Sequence, residues 1–182
     1  VYKRQITARW GRLDTLVHSI AFAPRDDLHG RVVDCSAEGF TMAMDVSVHS
    51  FLRMIRLAEP LMHEGGTCLT VSFFGSVRVV KDYNMMGPVK AALESAVRYI
   101  AAELGEKGIS VHALSPGPLK TRAASGISHF DEMLNAAAAR APMHVLASIE
   151  DVGGMAAFLA SPQARNLTGG VHEIDGGYSI IA

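Results

Sequence analysis

Cysteine is nearly absent: Cys35 and Cys68 are the two in 182 residues, and they form no C-x-x-C or paired-ligand pattern. A disulfide framework, a thiol redox motif and a cysteine-built zinc site are therefore not expected. An excess of one charge is missing too. With 17 Lys and Arg against 18 Asp and Glu, a formal net charge of -1 and no basic run of five, neither nucleic acid nor an anionic membrane surface is the expected partner. No apolar stretch reaches the ~18 residues of a membrane-spanning helix. The eight histidines are scattered, with no pair at ligand spacing beside a carboxylate, so no metal is expected. His18 lies in an apolar run and reads as a core histidine with a backbone partner. No secretory signal pattern opens the chain, and a cytoplasmic setting is the expectation. The opening "VYKRQITARWGRLD" starts at Val1 and reads as the tail of a helix with no cap and no preceding strand. A further amino-terminal part is expected. Missing as well is a Gly-rich strand-to-helix turn of the G-x-G-x-x-G kind, the usual phosphate seat of a nucleotide-binding sheet.

What is present is a globular composition, 49% hydrophobic, enough for one core and read as a single domain over residues 1–182. Apolar runs alternate with helical stripes. "RLDTLVHSIAFAP" (Arg12 to Pro24) reads as a buried strand ended by proline. Ala37 to Met62 carries a helical stripe, with Ser36 as N-cap. "TCLTVSFF" (Thr67 to Phe74) is a second strand, Met85 to Leu104 a helix stopped by Gly105 and Gly108, and "ISVHALSP" (Ile109 to Pro116) a third strand. Residues 119–142 suggest a small helical insert. Ser148 and Asp151 form a capping box before the last helix, and "GGVHEIDGG" holds a fourth strand. Buried strands alternating with helices imply an α/β architecture, a parallel sheet covered on both faces.

"YNMMGPVK" places Tyr83 and Lys90 seven residues apart at the mouth of a helix. Two turns of helix would put both on one face, ~10 Å apart along the axis. Pro88 fits an early turn, which tolerates the missing N–H. In open parallel sheets ligands bind beyond the carboxyl ends of the strands. Tyr83, Lys90, Pro116-Gly117-Pro118 and Thr121 all fall on that edge, where a phenol and an ammonium can do proton chemistry.

The segments "HSIAFAP", "YNMMGPVKAALESAVRYIAAELGEKGISVHALSPGPLKTRAASGI", "SIEDVG" and "DGGYS" carry a resemblance running from about Leu13 to the end. The chain resembles the carboxyl-terminal two-thirds of a short-chain dehydrogenase/reductase, in the bacterial enoyl-acyl-carrier-protein reductase branch. The Y-x6-K spacing is its sharpest element, since ordinary members of the superfamily carry Y-x3-K. The resemblance implies a doubly wound Rossmann-type sheet with about four of seven strands present. It also implies NADH as cofactor, with NADPH kept as an alternative. The substrate would be an enoyl thioester on acyl carrier protein, reduced in type II fatty acid synthesis by a homotetramer whose interfaces use the two long helices.

By the same resemblance, Tyr83 hydrogen-bonds the thioester oxygen while hydride reaches C3. Lys90 holds the nicotinamide ribose, and its charge draws Tyr83 toward useful acidity. Leu119, Lys120, Thr121, Arg122 and Ala123 match the segment along the nicotinamide, Thr121 serving equally as an N-cap of the insert. Ser19 and Ile20 match the strand end lining the cofactor, and Ala23 the edge of the acyl pocket, although Ile20 and Ala23 also fit a plain core. Met86, Ile127 and Phe130 would wall the acyl channel, beneath an insert acting as a substrate flap, although apolar residues at these spacings also serve as core. Well-known members carry a second tyrosine ten residues before the active one, where Phe73 stands here. A 3-oxoacyl or other carbonyl reductase would show Y-x3-K and a serine about thirteen residues before the tyrosine, where this chain has Thr70. A non-catalytic scaffold would be expected to have lost Tyr83 or Lys90. The 182 residues alone are expected to be inactive, lacking the adenosine and pyrophosphate half of the site.

Overall fold

The computed structural model describes residues 2–119 and 130–181. In chain order it comprises α1 (Tyr2–Arg9), β1 (Thr15–His18), α2 (Arg25–Leu28), α3 (Ala37–Met44), α4 (Ser50–Ala58), β2 (Gly66–Val71), α5 (Met86–Leu104), β3 (Ile109–Pro116), α6 (Phe130–Arg140), α7 (Ile149–Leu159), β4 (Val171–Ile174) and α8 (Tyr178–Ile181). The strands form one parallel sheet in the order β1-β2-β3-β4. All crossovers run through helices, as parallel pairing requires. The register sets Leu69 between Val17 and His112, and Ser115 opposite Glu173.

Alternation along the strands divides the core in two. Leu16, Cys68, Val111, Ala113 and Val171 face α5 and the α3–α4 segment, packing against Phe51, Val89, Leu93 and Val97. Leu69, Leu114 and Ile174 face α7, meeting Leu159 and Val152. β3 is buried along nearly its whole length, which is why its apolar run reads to the residue. β1 is shorter than its sequence suggests. It pairs on one side only, and beyond His18 the chain leaves the sheet. There Phe22 brackets the Ser47 hydroxyl, its N–H donating at 3.0 Å and its carbonyl accepting at 3.2 Å.

The single helix expected over Ala37 to Met62 is segmented. Ser36 caps α3 through the Gly39 N–H, a π-turn over Asp45–His49 joins α3 to α4, and a 3-10 turn closes the run at Leu61. π-turns of this kind often mark functional helices, here one packed beside α5. β2 stops at Val71, and Phe74 enters a 3-10 turn. α5 ends through a second 3-10 turn into Gly108, whose φ of 68° suits glycine. The Ser148/Asp151 capping box starts α7 as its sequence indicates.

Candidate active site

The carboxyl edge of the sheet gathers the chemistry. Between β2 and α5 the chain makes two turns of opposite purpose. Phe74–Ser76 form a 3-10 turn, and then Asp82 and Asn84, both non-glycine, adopt left-handed φ values of 63° and 45° on either side of Tyr83. Such conformations persist where surrounding contacts over-determine them. One such contact is the Asn84 side-chain amide, which donates to the Leu28 carbonyl at 2.7 Å. The Tyr83 ring lies over Gly75, so close that a Cβ there would sit 2.6 Å from Tyr83 Cδ1. It also packs edge-on against Phe73, centroids 4.8 Å apart. Phe73 in turn meets Phe74, and Phe74 meets Tyr178 at the start of α8 at 5.3 Å, so an aromatic row runs across the edge. Arg140 of α6 sits 5.7 Å over the Tyr178 ring.

Lys90 is 6% exposed, in the second turn of α5, and its Nζ donates to the Val71 carbonyl at the end of β2 (2.7 Å). Burial lowers its pKa to about 8, with Glu94 acting in the opposite direction. Glu94, one turn on and equally buried, accepts a hydrogen bond from the Ser72 hydroxyl. Burial, reinforced by Glu94, pushes the Tyr83 phenol well above its usual range. Both influences run against the expected draw of Tyr83 toward acidity. The Tyr83 phenol therefore keeps its proton.

His18, at the end of β1, is fully buried on the same face. Its partners are side chains rather than the expected backbone group: Nε2 to Ser50 Oγ at 2.7 Å and Nδ1 to Thr70 Oγ1 at 2.8 Å. Ser50 spends its proton on the Val46 carbonyl (2.6 Å), so Nε2 carries the imidazole hydrogen and the Thr70 hydroxyl donates to Nδ1. Burial, then the Lys90 charge, lowers the His18 pKa to about 4. Thr70, at the offset where a carbonyl reductase would place its serine, is therefore buried and committed to His18.

At the ends of β3 and β4, Gly117 passes so near Asp175 that a Cβ would lie 3.0 Å from the Asp175 Cβ. Asp175 itself holds the final turn by accepting from the Gly177 and Ser179 N–H groups. Ser19 and Ile20 stand exposed beyond β1, Ile20 at 43%, so Ile20 is not a core residue. Ala23 packs against the core cluster. Phe73 and Leu119 are half-buried at the cleft. Met86, in the first turn of α5, is 6% exposed and belongs to the core cluster that holds Val89 and Phe51. Lys120, Thr121, Arg122, Ala123 and Ile127 lie outside the described residues. Phe130 begins α6.

Three participants escape a reading of the sequence. Gly75 is a lone glycine whose role needs the ring above it. Ser72 ends a strand run. Glu94 follows Lys90 by four, a helical pairing signal in plain view, but charged pairs on helices are usually solvated.

The family model described as "Enoyl-(Acyl carrier protein) reductase" matches residues 2–179. The chain belongs to this family. It is 45% identical over 176 residues to the enoyl-[acyl-carrier-protein] reductase [NADH] FabI of Rickettsia felis, covering 97% of this chain and 68% of that protein. The same identity and shares hold for the FabI of a Nostoc species. Among solved structures, the Bacillus cereus enoyl-acyl carrier protein reductase, crystallised with NADP+ and indole naphthyridinone, superposes with a TM-score of 0.97 at 42% identity, over all of this chain and 70% of that one. The Anaplasma phagocytophilum reductase in complex with NAD gives 0.94 at 41%, with 69% of its chain covered. The Rossmann-type fold is thereby shared with these enzymes.

Proposed function

We propose that this chain reduces trans-2-enoyl thioesters carried by acyl carrier protein, in type II fatty acid synthesis, with NADH as the reductant. The observation that carries the reading is the seating of Tyr83 over Gly75 beside a buried Lys90, in the Y-x6-K spacing and at the carboxyl edge of a parallel sheet. The residues suit a nicotinamide cofactor. Lys90 has used one of its three donors on Val71, leaving two for ribose hydroxyls. Ile20 stands exposed where a flat apolar group would cover it.

When bound, the reduced nicotinamide supplies hydride to C3 of the enoyl thioester. The Tyr83 hydroxyl donates to the thioester oxygen, where negative charge collects, and its high pKa keeps the proton on the phenol while the hydrogen bond stabilises that charge. The Tyr83 ring is held by Gly75 and Phe73, so the donor is oriented before substrate arrives. Lys90 clamps and orients the ribose. Leu119, and further along the chain Lys120 to Ala123, would line the nicotinamide, while Phe73, Ala23, Ile127 and Phe130 would border the acyl group. The functional unit is a homotetramer in the cytoplasm, with exposed Leu52, Leu57 and Tyr99 offering apolar contacts on α4 and α5.

The experiment follows nicotinamide oxidation by the full-length natural protein with a trans-2-enoyl and a 3-oxoacyl thioester in parallel, using NADH and NADPH. Oxidation with the enoyl substrate alone is expected. Oxidation with the 3-oxoacyl substrate alone would replace this reading by a carbonyl reductase, against which the sequestered Thr70 hydroxyl argues. Cofactor binding without turnover of either would leave a non-catalytic member.

A further inference from the structure

We propose that Glu94, steadied by Ser72, is the counter-charge that keeps Lys90 cationic in its buried seat, which makes it a positioning residue acting through Lys90. The inference rests on the reading of Lys90 as the ribose clamp.

The geometry carries it. Lys90 and Glu94 stand at i and i+4 on the buried face of α5, each 6% exposed, and Lys90 is the one Lys or Arg among the buried residues described. An ammonium with a single carbonyl partner is costly to bury unless an opposite charge lies near. The other buried carboxylate described, Asp175, has its oxygens engaged by backbone N–H groups of its own turn. Glu94 has no comparable use. Its hydrogen-bond donor is Ser72, one residue beyond the Val71 carbonyl that receives Lys90 Nζ. The end of β2 therefore grips both members of the pair, the lysine through a carbonyl and the glutamate through a hydroxyl.

The surrounding groups do not replace it. Toward Lys90, β1 presents His18, which is neutral, and the loop before α5 presents Tyr83, also neutral. β4 and the turn after it present Glu173 and Asp175, whose charges bear on one another, and Glu173 feels Glu94 as well. On the π-turn packed beside α5, Asp45 is exposed and engaged with His49 and Arg53. His112 of β3 faces the opposite side of the sheet, with α7. Glu94 opposes the burial that lowers the Lys90 pKa to about 8, so without its charge the ammonium would lose its proton at a lower pH.

The test is Glu94→Gln in the full-length natural protein, which keeps shape and removes charge. Two quantities are read against pH: kcat/KM with the NADH dissociation constant, and the Lys90 signal in 13Cε-lysine NMR, assigned with Lys90→Met. The expected result is a basic limb moved down by about one pH unit or more, a matching fall in the Lys90 titration, and a retained plateau at low pH. Basic limbs and lysine titrations that superimpose on the parent would overturn the inference. Should Glu94→Gln fail to fold, Glu94→Asp and Ser72→Ala take its place, and a smaller downward shift in either supports the proposal while no shift in both overturns it. Lys90→Ala with normal NADH affinity and turnover would instead overturn the underlying reading of Lys90.

Discussion

The two faces of β3 each bury a polar pair, and the pairs are built on opposite principles. On the α5 face an ammonium and a carboxylate, Lys90 and Glu94, are held by backbone and hydroxyl groups at the strand ends, beside the cleft. On the α7 face His112 and His172 meet ring to ring, Nδ1 to Nε2 at 3.0 Å, over Gly170, where a Cβ would come within 2.9 Å of His172. Here no charge is carried. Burial and the neighbouring His172 lower the His112 pKa to about 4, and its Nε2 finds no hydrogen-bond partner. The first pair lies at the carboxyl edge of the sheet and is proposed to keep its charge for a ligand, whereas the second lies within the thinner half of the core and sheds it. Burial alone therefore does not mark a functional group; a maintained charge with spare donors at the strand ends does.

The sharpest way to break the comparison is to disable the cleft side. Tyr83→Phe removes one preorganised donor and is expected to cost about 10²–10³ in kcat, with folding intact. Lys90→Ala is expected to lose most turnover and much of the NADH affinity. Gly75→Ala forces a Cβ into the Tyr83 ring, and displacing that ring is expected to cost about 10²-fold while both proposed catalytic side chains remain. Steady-state kinetics alongside circular dichroism decide each case. Near-parent rates in Tyr83→Phe would remove its proposed role, and near-parent rates in Gly75→Ala would show that the ring seat is not what positions it.

How much of this could be read from the chain depended on which physical signal each feature leaves. β3 and the capping box of α7 were legible because burial on both faces and local capping write themselves into short windows. β1 was overextended because an apolar run does not say where a one-sided strand stops pairing. The Tyr83 and Lys90 placement followed from spacing and resemblance. The depth of Lys90, the partial burial of Tyr83 and the Gly75 seat are tertiary facts that no local pattern encodes. The burial of Met86 is of the same kind, since an apolar residue in a first helical turn can face a channel or a core with equal local propriety.

A smaller effect separates the faces by pH. His18 and His112, both at about 4 in the folded chain against an ordinary 6.5, are neutral when folded and take up protons on unfolding. Their stabilising contribution is complete above about pH 6.5, falls as pH drops toward 4, and is flat below that. Thermal unfolding midpoints should follow this course. His112→Leu should remove about one proton from the uptake on unfolding near pH 5, leaving turnover at neutral pH unchanged. A pH slope identical to the parent's would mean that the histidine pair does not shed its charge on folding.

The smallest expected effect comes from Phe73→Tyr, which adds a second phenol beside Tyr83. The edge-on contact at 4.8 Å survives the change, so the aromatic pair retains its about 0.5–1.5 kcal/mol. Phe73 is half-buried, and the new hydroxyl can reach water rather than being trapped in the core. Stability should therefore move by no more than about 0.5 kcal/mol. Because Tyr83 is the proposed donor to the thioester oxygen, the reaction should persist, with any change appearing as a shift between short and long enoyl thioesters in kcat/KM. A loss as large as that of Tyr83→Phe would show that the Phe73 ring edge lies in the reacting pocket itself and that the aromatic row, not only Lys90 and Tyr83, belongs to the chemistry of this face.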